Sequence, residues 1–350
     1  MTLYDSEKKA SSITLEGSES PAANEQETPA FSHREAKKLV QDLFTPKPVL
    51  FWADFLITVS IGYGFAAIYL TAPAFSLIQI AAFLVSGLAL FRVGIFIHEL
   101  VHREEASMVG FHIAWNLIFG VPFLLHSLLY RSHLDHHHPR KFGTPAEGEY
   151  LPLGAAPIRE TILYLAQIPA VPLFAAFRFL VLVPLSFLYP PSRRWLLERW
   201  SSYTINPYYR RVIPPTEPLG LWAVLDLLCL LWLAVVIGLL FKGFIPWTTV
   251  GMVYGLSIST IALNWVRTLA AHRFLNTGGN MTYVEQIEDS QTIEGHSLLT
   301  LLLFPIGLRY HALHHLFPLM PYHSMGEAHR RLMSALPEDS PYKKGIFPGL

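Results

Sequence analysis

Four stretches of this sequence are too apolar and too long for ordinary core helices: Leu50–Leu70, Phe75–Ile97, Leu219–Phe241 and Trp247–Val266. Each runs for about twenty residues, the length that crosses a hydrocarbon layer of about 30 Å. Their charges are Asp54, Arg92 and Asp226 alone. In lipid every backbone N–H and C=O must find its partner within the segment, so such stretches fold as helices. Short links at Thr71–Pro73 and Lys242–Pro246 pair them into two hairpins. The expected fold class is all-α integral membrane, with four transmembrane helices in two hairpins. Composition agrees, with 15% charged residues against about 25% in a soluble domain. The formal charge of zero gives no reason to expect a nucleic-acid partner. The single cysteine, Cys229, lies in an apolar run. That excludes a disulfide framework and a cysteine-based zinc or iron–sulfur site.

Two further apolar segments are ambiguous. Ile113–Leu129 is short and carries Asn116, Pro122 and His126, which favours an interfacial or re-entrant helix. Thr161–Tyr189 contains Pro169, Pro172, Arg178 and Pro184, which weaken a plain span and suggest an interfacial segment or a broken hairpin. Residues 1–30 are rich in Ser, Glu, Ala and Pro and lack the apolar region of a signal peptide. They are expected as a disordered tail, followed by a membrane domain over 31–335 and a C-terminal tail over 336–350. Nearly all Lys and Arg lie outside the two tight links. The positive-inside rule then puts both termini and the remaining loops on the cytosolic side.

Histidine supplies the chemistry. His98 and His102 stand four apart; His133, His136 and His137 form a second group, and His311, His314 and His315 a third with the same spacing. Residues three and four apart share a helix face, so each group is expected to converge on one point. One zinc takes about four ligands, so these eight rings are too many for one zinc and suit two metals. Imidazole accommodates zinc, copper, iron or nickel. His-Glu-Leu-Val-His alone matches a zinc-protease helix with Glu99 as general base, but that reading leaves the other six rings unexplained. Glu99 and His102 also fit half of a soluble di-iron bundle, which needs two such motifs and further glutamates. A metal transporter would need more polar residues within the spans than Asp54, Arg92 and Asp226.

The boxes HELVH, HLDHH and HALHH, their order and the two hairpins resemble the membrane fatty acid desaturase superfamily, which also includes membrane hydroxylases and carotenoid ketolases. The likeness covers roughly residues 45–335 and is especially close to bacterial acyl desaturases in HHLFP followed by PYH. The resemblance implies two non-haem iron ions on the cytosolic face, beneath interfacial helices and a His-rich cap. It implies His272 as a further ligand, giving His98, His102, His133, His136, His137, His272, His311, His314 and His315. Thr268 occupies the place where acyl-CoA desaturases carry an Asn that reaches the metal through water, and Asn264 lies one turn earlier. The chain lacks the His-Pro-Gly-Gly signature of a fused cytochrome, so a ferredoxin-like or b-type cytochrome donor is implied. The implied reaction is O2-dependent desaturation of a fatty acyl chain, as a lipid or an acyl thioester. Hydroxylation, which begins with the same hydrogen abstraction, is the alternative.

Attack on an unactivated methylene needs an oxidant that amino acids do not supply and O2-activating metals do. No catalytic residue is expected beyond the metal centre itself. Neutral imidazoles leave positive charge for nearby carboxylates to offset, and Glu99 and Asp135 are placed for that. Trp115, Trp265 and Phe304 are candidates to line an apolar route. His138 leaves the shared face, and His126, His296 and His323 read as structural. Glu285–Glu294 reads as a solvated surface, while Arg140, Lys141, Arg193, Arg194, Arg330 and Arg331 are candidates to dock an acidic electron donor.

Overall fold

The first hairpin consists of helices Pro48–Thr71 and Leu77–Val101 in a computed structural model that describes residues 32–103, 108–202, 206–295 and 297–349. The expected disordered tail at 1–30 and His296 lie outside the described residues. Pro48 opens its helix where a missing N–H takes nothing from the ladder. Ser76 caps the second, its Oγ accepting from the Gln79 N–H at 3.2 Å. The two helices close on small residues: Ser86 Oγ donates to the Gly62 carbonyl at 2.9 Å. The charges that looked anomalous in these spans face each other, with Arg92 Nη2 2.6 Å from Asp54 Oδ2. Tyr322 donates to the same carboxylate at 3.0 Å and so ties the C-terminal region to the hairpin.

The second hairpin is Leu219–Phe241 with Thr248–Leu269. A fifth helix, Val171–Leu188, is also long and apolar enough to cross a membrane. The expectation of four spans therefore understates the candidates, and the reason lies at Arg178. Its side chain is 1% exposed and its Nη1 lies 2.7 Å from Asp226 Oδ1 on the neighbouring helix. Pairing offsets part of the penalty that argued against a helix there. The segment also holds a π-turn over Arg178–Leu182, where the Val183 N–H reaches the Arg178 carbonyl. Pro184 follows directly, within the first turn of the helical piece that resumes at Val183. The segment Val109–Gly120 is too short to cross. It packs Trp115 into the core of the first hairpin, with Nε1 donating to the Val93 carbonyl at 2.8 Å.

On one side of these helices sits a cap of short helices, chiefly His33–Val40, Tyr283–Asp289, His311–Leu316 and Tyr322–Ala335. Its own core gathers Val40, Ile287, Leu313, Met325, Leu332 and Tyr342. Among the described residues the strands are one short parallel pair, Thr292 with Ile346 and Ile293 with Phe347. That pairing and the fully buried Tyr342 draw the C-terminal stretch into the cap. The described part of the 336–350 region, up to Gly349, is thus packed structure, held by strand partners 54 residues earlier in the chain that local sequence does not reveal.

Candidate metal centre

Each histidine group begins at the end of an apolar element. His98 occupies the last turn of Leu77–Val101, and His102 is its C-cap. His133 and His136 lie on the single turn His133–His136, with His137 capping it. His311, His314 and His315 lie on His311–Leu316. His272 follows the helix Thr248–Leu269 by three residues. The fold brings all nine rings together, as two adjoining clusters. One holds His98, His102, His133, His137 and His314; the other holds His136, His272, His311 and His315. Within each cluster the candidate ligand atoms lie within 4.8 Å of one another. The clusters abut, with the His137 and His315 ring centroids 4.3 Å apart.

This division corrects the expectation that each group converges on one point. A residue four along a helix is rotated about 40° from the first, and one three along about 60° the other way. The i,i+4 pairs His98/His102, His133/His137 and His311/His315 each stay in one cluster. The i+3 rings, His136 and His314, swing across to the opposite cluster. Both HxxHH boxes therefore serve both clusters and bind them into one unit.

The ring nitrogens meet in a way that suits a cation. His137 Nε2 lies 3.0 Å from both His133 Nε2 and His314 Nε2. His311 Nε2 lies 3.0 Å from His272 Nε2 and 3.1 Å from His315 Nε2. One imidazole nitrogen holds a single lone pair or a single proton, so it cannot satisfy two such neighbours well. Both nitrogens of His98 and the Nε2 of His102 are buried without a hydrogen-bond partner. Ring nitrogens crowded around one point, more of them than single N–H···N hydrogen bonds can satisfy, could hold a metal ion. Burial and then repulsion from neighbouring rings hold His137, His311, His314 and His315 well below the ordinary histidine range, hence neutral. Burial also pulls on His136, but Glu147 beside it turns the net direction upward.

The carboxylates at these rings are not the expected ones. Glu99 pairs with Arg103 Nη2 at 3.0 Å. Asp135 pairs with Lys141 and accepts from the Tyr209 hydroxyl at 2.6 Å. Asp135 is two residues from His133 and one from His136, so it leaves the helix on another face. Instead His133 Nδ1 donates to Glu149 Oε2 at 3.0 Å. His136 Nδ1 lies 3.4 Å from Glu147 Oε2, and His272 Nδ1 3.2 Å from Asp289 Oδ2, close but not aligned as hydrogen bonds. Glu147 is locked by the Glu149 and Tyr150 backbone N–H groups at 2.7 and 2.8 Å. Asp289 accepts from the Leu275 N–H at 2.6 Å. It is fully buried, so the Glu285–Glu294 stretch is not simply a solvated face. Gly143 makes the loop to Glu147 possible: its φ is +74°, and a Cβ there would lie 1.9 Å from Asn276 Nδ2. The gap of fourteen residues from His133 to Glu147 hides these acids from any motif.

The other expected residues sort plainly. Asn264 Oδ1 and Thr268 Oγ1 both accept from Arg267 Nη2 at 3.0 Å. Thr268, Arg267, Tyr130 and Glu149 line a small cavity beside histidines of both clusters. Trp115, Trp265 and Phe304 are buried in packing and do not line that cavity. His138 is exposed, His126 contacts Asp226 at 3.1 Å, and His323 Nε2 accepts from the Lys47 N–H at 3.0 Å. Of the basic candidates, Arg193 is tied to Asp226, Arg331 to Asp42 and Lys141 to Asp135.

Comparison with known proteins agrees with this architecture. A family model described as fatty acid desaturase matches residues 74–345. A ceramide hydroxylase of Caulobacter vibrioides (strain NA1000 / CB15N) is 41% identical over 326 residues, covering 91% of this chain and 90% of that protein. No solved structure matches significantly.

Proposed function

This chain belongs to the fatty acid desaturase family of multi-pass membrane oxidoreductases, and from that premise we propose that it is an O2-dependent di-iron hydroxylase acting on a ceramide-type lipid. The observation that carries the metal chemistry is the pair of adjoining all-histidine clusters. Hydroxylation is placed ahead of desaturation because of the extensive identity with a ceramide hydroxylase. Desaturation of a fatty acyl chain is the second reading, supported by the description of the matching family.

In this reading His98, His102, His133, His137 and His314 hold one iron, and His136, His272, His311 and His315 the other. When bound, the two irons activate O2 for attack on an unactivated C–H bond. The chain's own part is positional. Glu149 fixes the proton of His133 on Nδ1, leaving Nε2 free to ligate. Glu147 and Asp289 stand beside His136 Nδ1 and His272 Nδ1 and offset charge there. The packed hairpins keep water from the rings and offer the lipid an apolar approach. The metal-bearing face and both termini lie on the cytosolic side, where a separate ferredoxin-like or b-type cytochrome delivers electrons.

The test is lipid analysis by mass spectrometry of a ceramide-containing host expressing the chain with a matched reductase, beside a His311→Ala control. A ceramide heavier by one oxygen, absent from the control, is the expected product. A lipid lighter by two hydrogens would transfer the assignment to desaturation. Unaltered lipids with iron-loaded protein present would overturn both.

A further inference from the structure

Val171–Leu188 is long and apolar enough to cross a membrane, but the chain on either side of it does not allow a single crossing. Glu147 stands beside the His136 ring, on the side that bears the clusters. Gly154 lies against the Phe274 carbonyl, just beyond His272; a Cβ there would fall 2.2 Å from that oxygen. The segment therefore leaves from the metal-bearing side. It is back there by Asn206, whose Nδ2 donates to the Glu147 carbonyl and whose N–H donates to the Gly148 carbonyl, both at 2.9 Å. A chain that starts and ends on one side crosses an even number of times. Between these points, among the described residues, Val171–Leu188 is the one helix of sufficient length. Its neighbour Ile158–Ala166 has nine residues, about 13 Å, less than half of the hydrocarbon layer.

Contacts along the second hairpin mark where the segment turns. The Tyr164 hydroxyl donates to the Trp265 carbonyl at 2.8 Å, near the metal-side end of Thr248–Leu269. The Pro169 carbonyl accepts at 2.8 Å from the hydroxyl of Tyr254, which is eleven residues closer to the far end of the same helix. The chain thus descends from Tyr164 to Pro169. It then climbs with Val171–Leu188, where Arg178 meets Asp226, to the helix Pro190–Arg199, whose Arg193 meets the same carboxylate. The turn itself suits hydrocarbon. The Gln167, Ile168, Ala170 and Val171 N–H groups donate to the carbonyls of Tyr164, Leu165 and Gln167. Pro169 has no N–H, and its carbonyl has Tyr254. A turn within a membrane must satisfy its backbone in this way.

We infer that Ile158–Leu188 is a re-entrant hairpin embedded in the leaflet on the metal-bearing side, and that its outward face is a lipid-contact surface. Ile162 and Leu163 on the first arm, and Leu173 and Phe174 on the second, are exposed there. The protein then has four spans. The first arm lies on the face of Thr248–Leu269 that carries Trp265 and Thr268, three residues apart, and Thr268 lines the cavity at the clusters. The hairpin is thus a wall between the lipid of that leaflet and the metal centre. This placement is the same whichever lipid is oxidised.

The test uses single cysteines in the full chain, since the native Cys229 is buried and stays silent. Arg159→Cys and Arg194→Cys, both at exposed side chains that flank the hairpin, are labelled with a membrane-impermeant maleimide in sealed vesicles of each orientation. Both are expected to react from the same side as Arg330→Cys on the cap and from the side opposite Lys242→Cys in the far link. Nitroxides attached at Leu163→Cys and Leu173→Cys then report depth. Collisions with dissolved O2 are expected to exceed those with a water-soluble nickel chelate at both sites, with the reverse at Arg159→Cys and Arg194→Cys. Ile162→Cys and Phe174→Cys repeat the reading, one on each arm. Labelling of Arg159→Cys or Arg194→Cys from the side of Lys242→Cys would make the segment a true span and overturn the hairpin. Free access of the nickel chelate to either arm would place that arm in water and overturn it equally.

Discussion

The two histidine clusters share one side-chain chemistry and differ in what stands behind the rings. The five-ring cluster takes His98 and His102 from the end of a membrane helix, and among the described residues its one ring hydrogen-bonded to a carboxylate is His133, to Glu149. The four-ring cluster takes His272 from just beyond the helix Thr248–Leu269 and His136, His311 and His315 from short helical turns, and two of its four rings face Glu147 and Asp289. Those acids are themselves pinned by backbone N–H groups. One cluster thus relies on ligand number and on the packing of the first hairpin. In the proposed centre the other would set fixed negative charge against its smaller number of ligands. Two metals of one element held this way need not be held equally.

The sharpest way to break that comparison is to empty one cluster at a time. His137→Ala should remove the five-ring metal and His272→Ala the four-ring metal, each lowering iron by about one atom per chain and abolishing turnover. Iron analysis of the purified variants checks this; loss of both metals from either change would mean that the clusters do not load separately. A smaller effect is expected from the carboxylates. Asp289→Asn and Glu147→Gln should weaken retention at the four-ring cluster about 10- to 100-fold, with the other metal unaffected, as read by chelator titration. Smaller still is Gly143→Ala, which forces Asn276 aside in the loop that carries Glu147. It should cost about 1–3 kcal/mol, seen as a lower unfolding midpoint with the four-ring metal lost first on heating. Asp135→Asn should change iron content not at all and stability by about 1 kcal/mol at most, since its partners are Lys141 and Tyr209 and not a ring. A large loss of iron in that variant would restore Asp135 to the metal centre.

The nine ring positions were legible because spacing and the family likeness single them out, and the fold assembles all of them. Their division was not legible. His-x-x-His-His shows three rings on a face, and only rotation about the axis separates the i+3 ring from its neighbours. The acids were hidden for a different reason. Asp135 is adjacent in sequence but turned away, while Glu147 and Glu149 arrive from a loop whose path depends on tertiary contacts such as that of Asn276 Nδ2 with the Gly143 carbonyl, and Asp289 from the last residue of the distant helix Tyr283–Asp289. The fifth apolar helix was obscured by Arg178 and by prolines, and its pairing with Asp226 on another helix is a fact of packing. Arg267 gave no signal at all, because a basic residue at a helix end normally reads as an exit into water.

The central claim, two irons divided five rings to four, is tested most directly by an anomalous difference map at the iron edge from crystals of the metal-loaded protein. Two peaks are expected, one among His98, His102, His133, His137 and His314 and one among His136, His272, His311 and His315. A single peak, or two peaks that assign all three rings of one HxxHH box to the same metal, would contradict it.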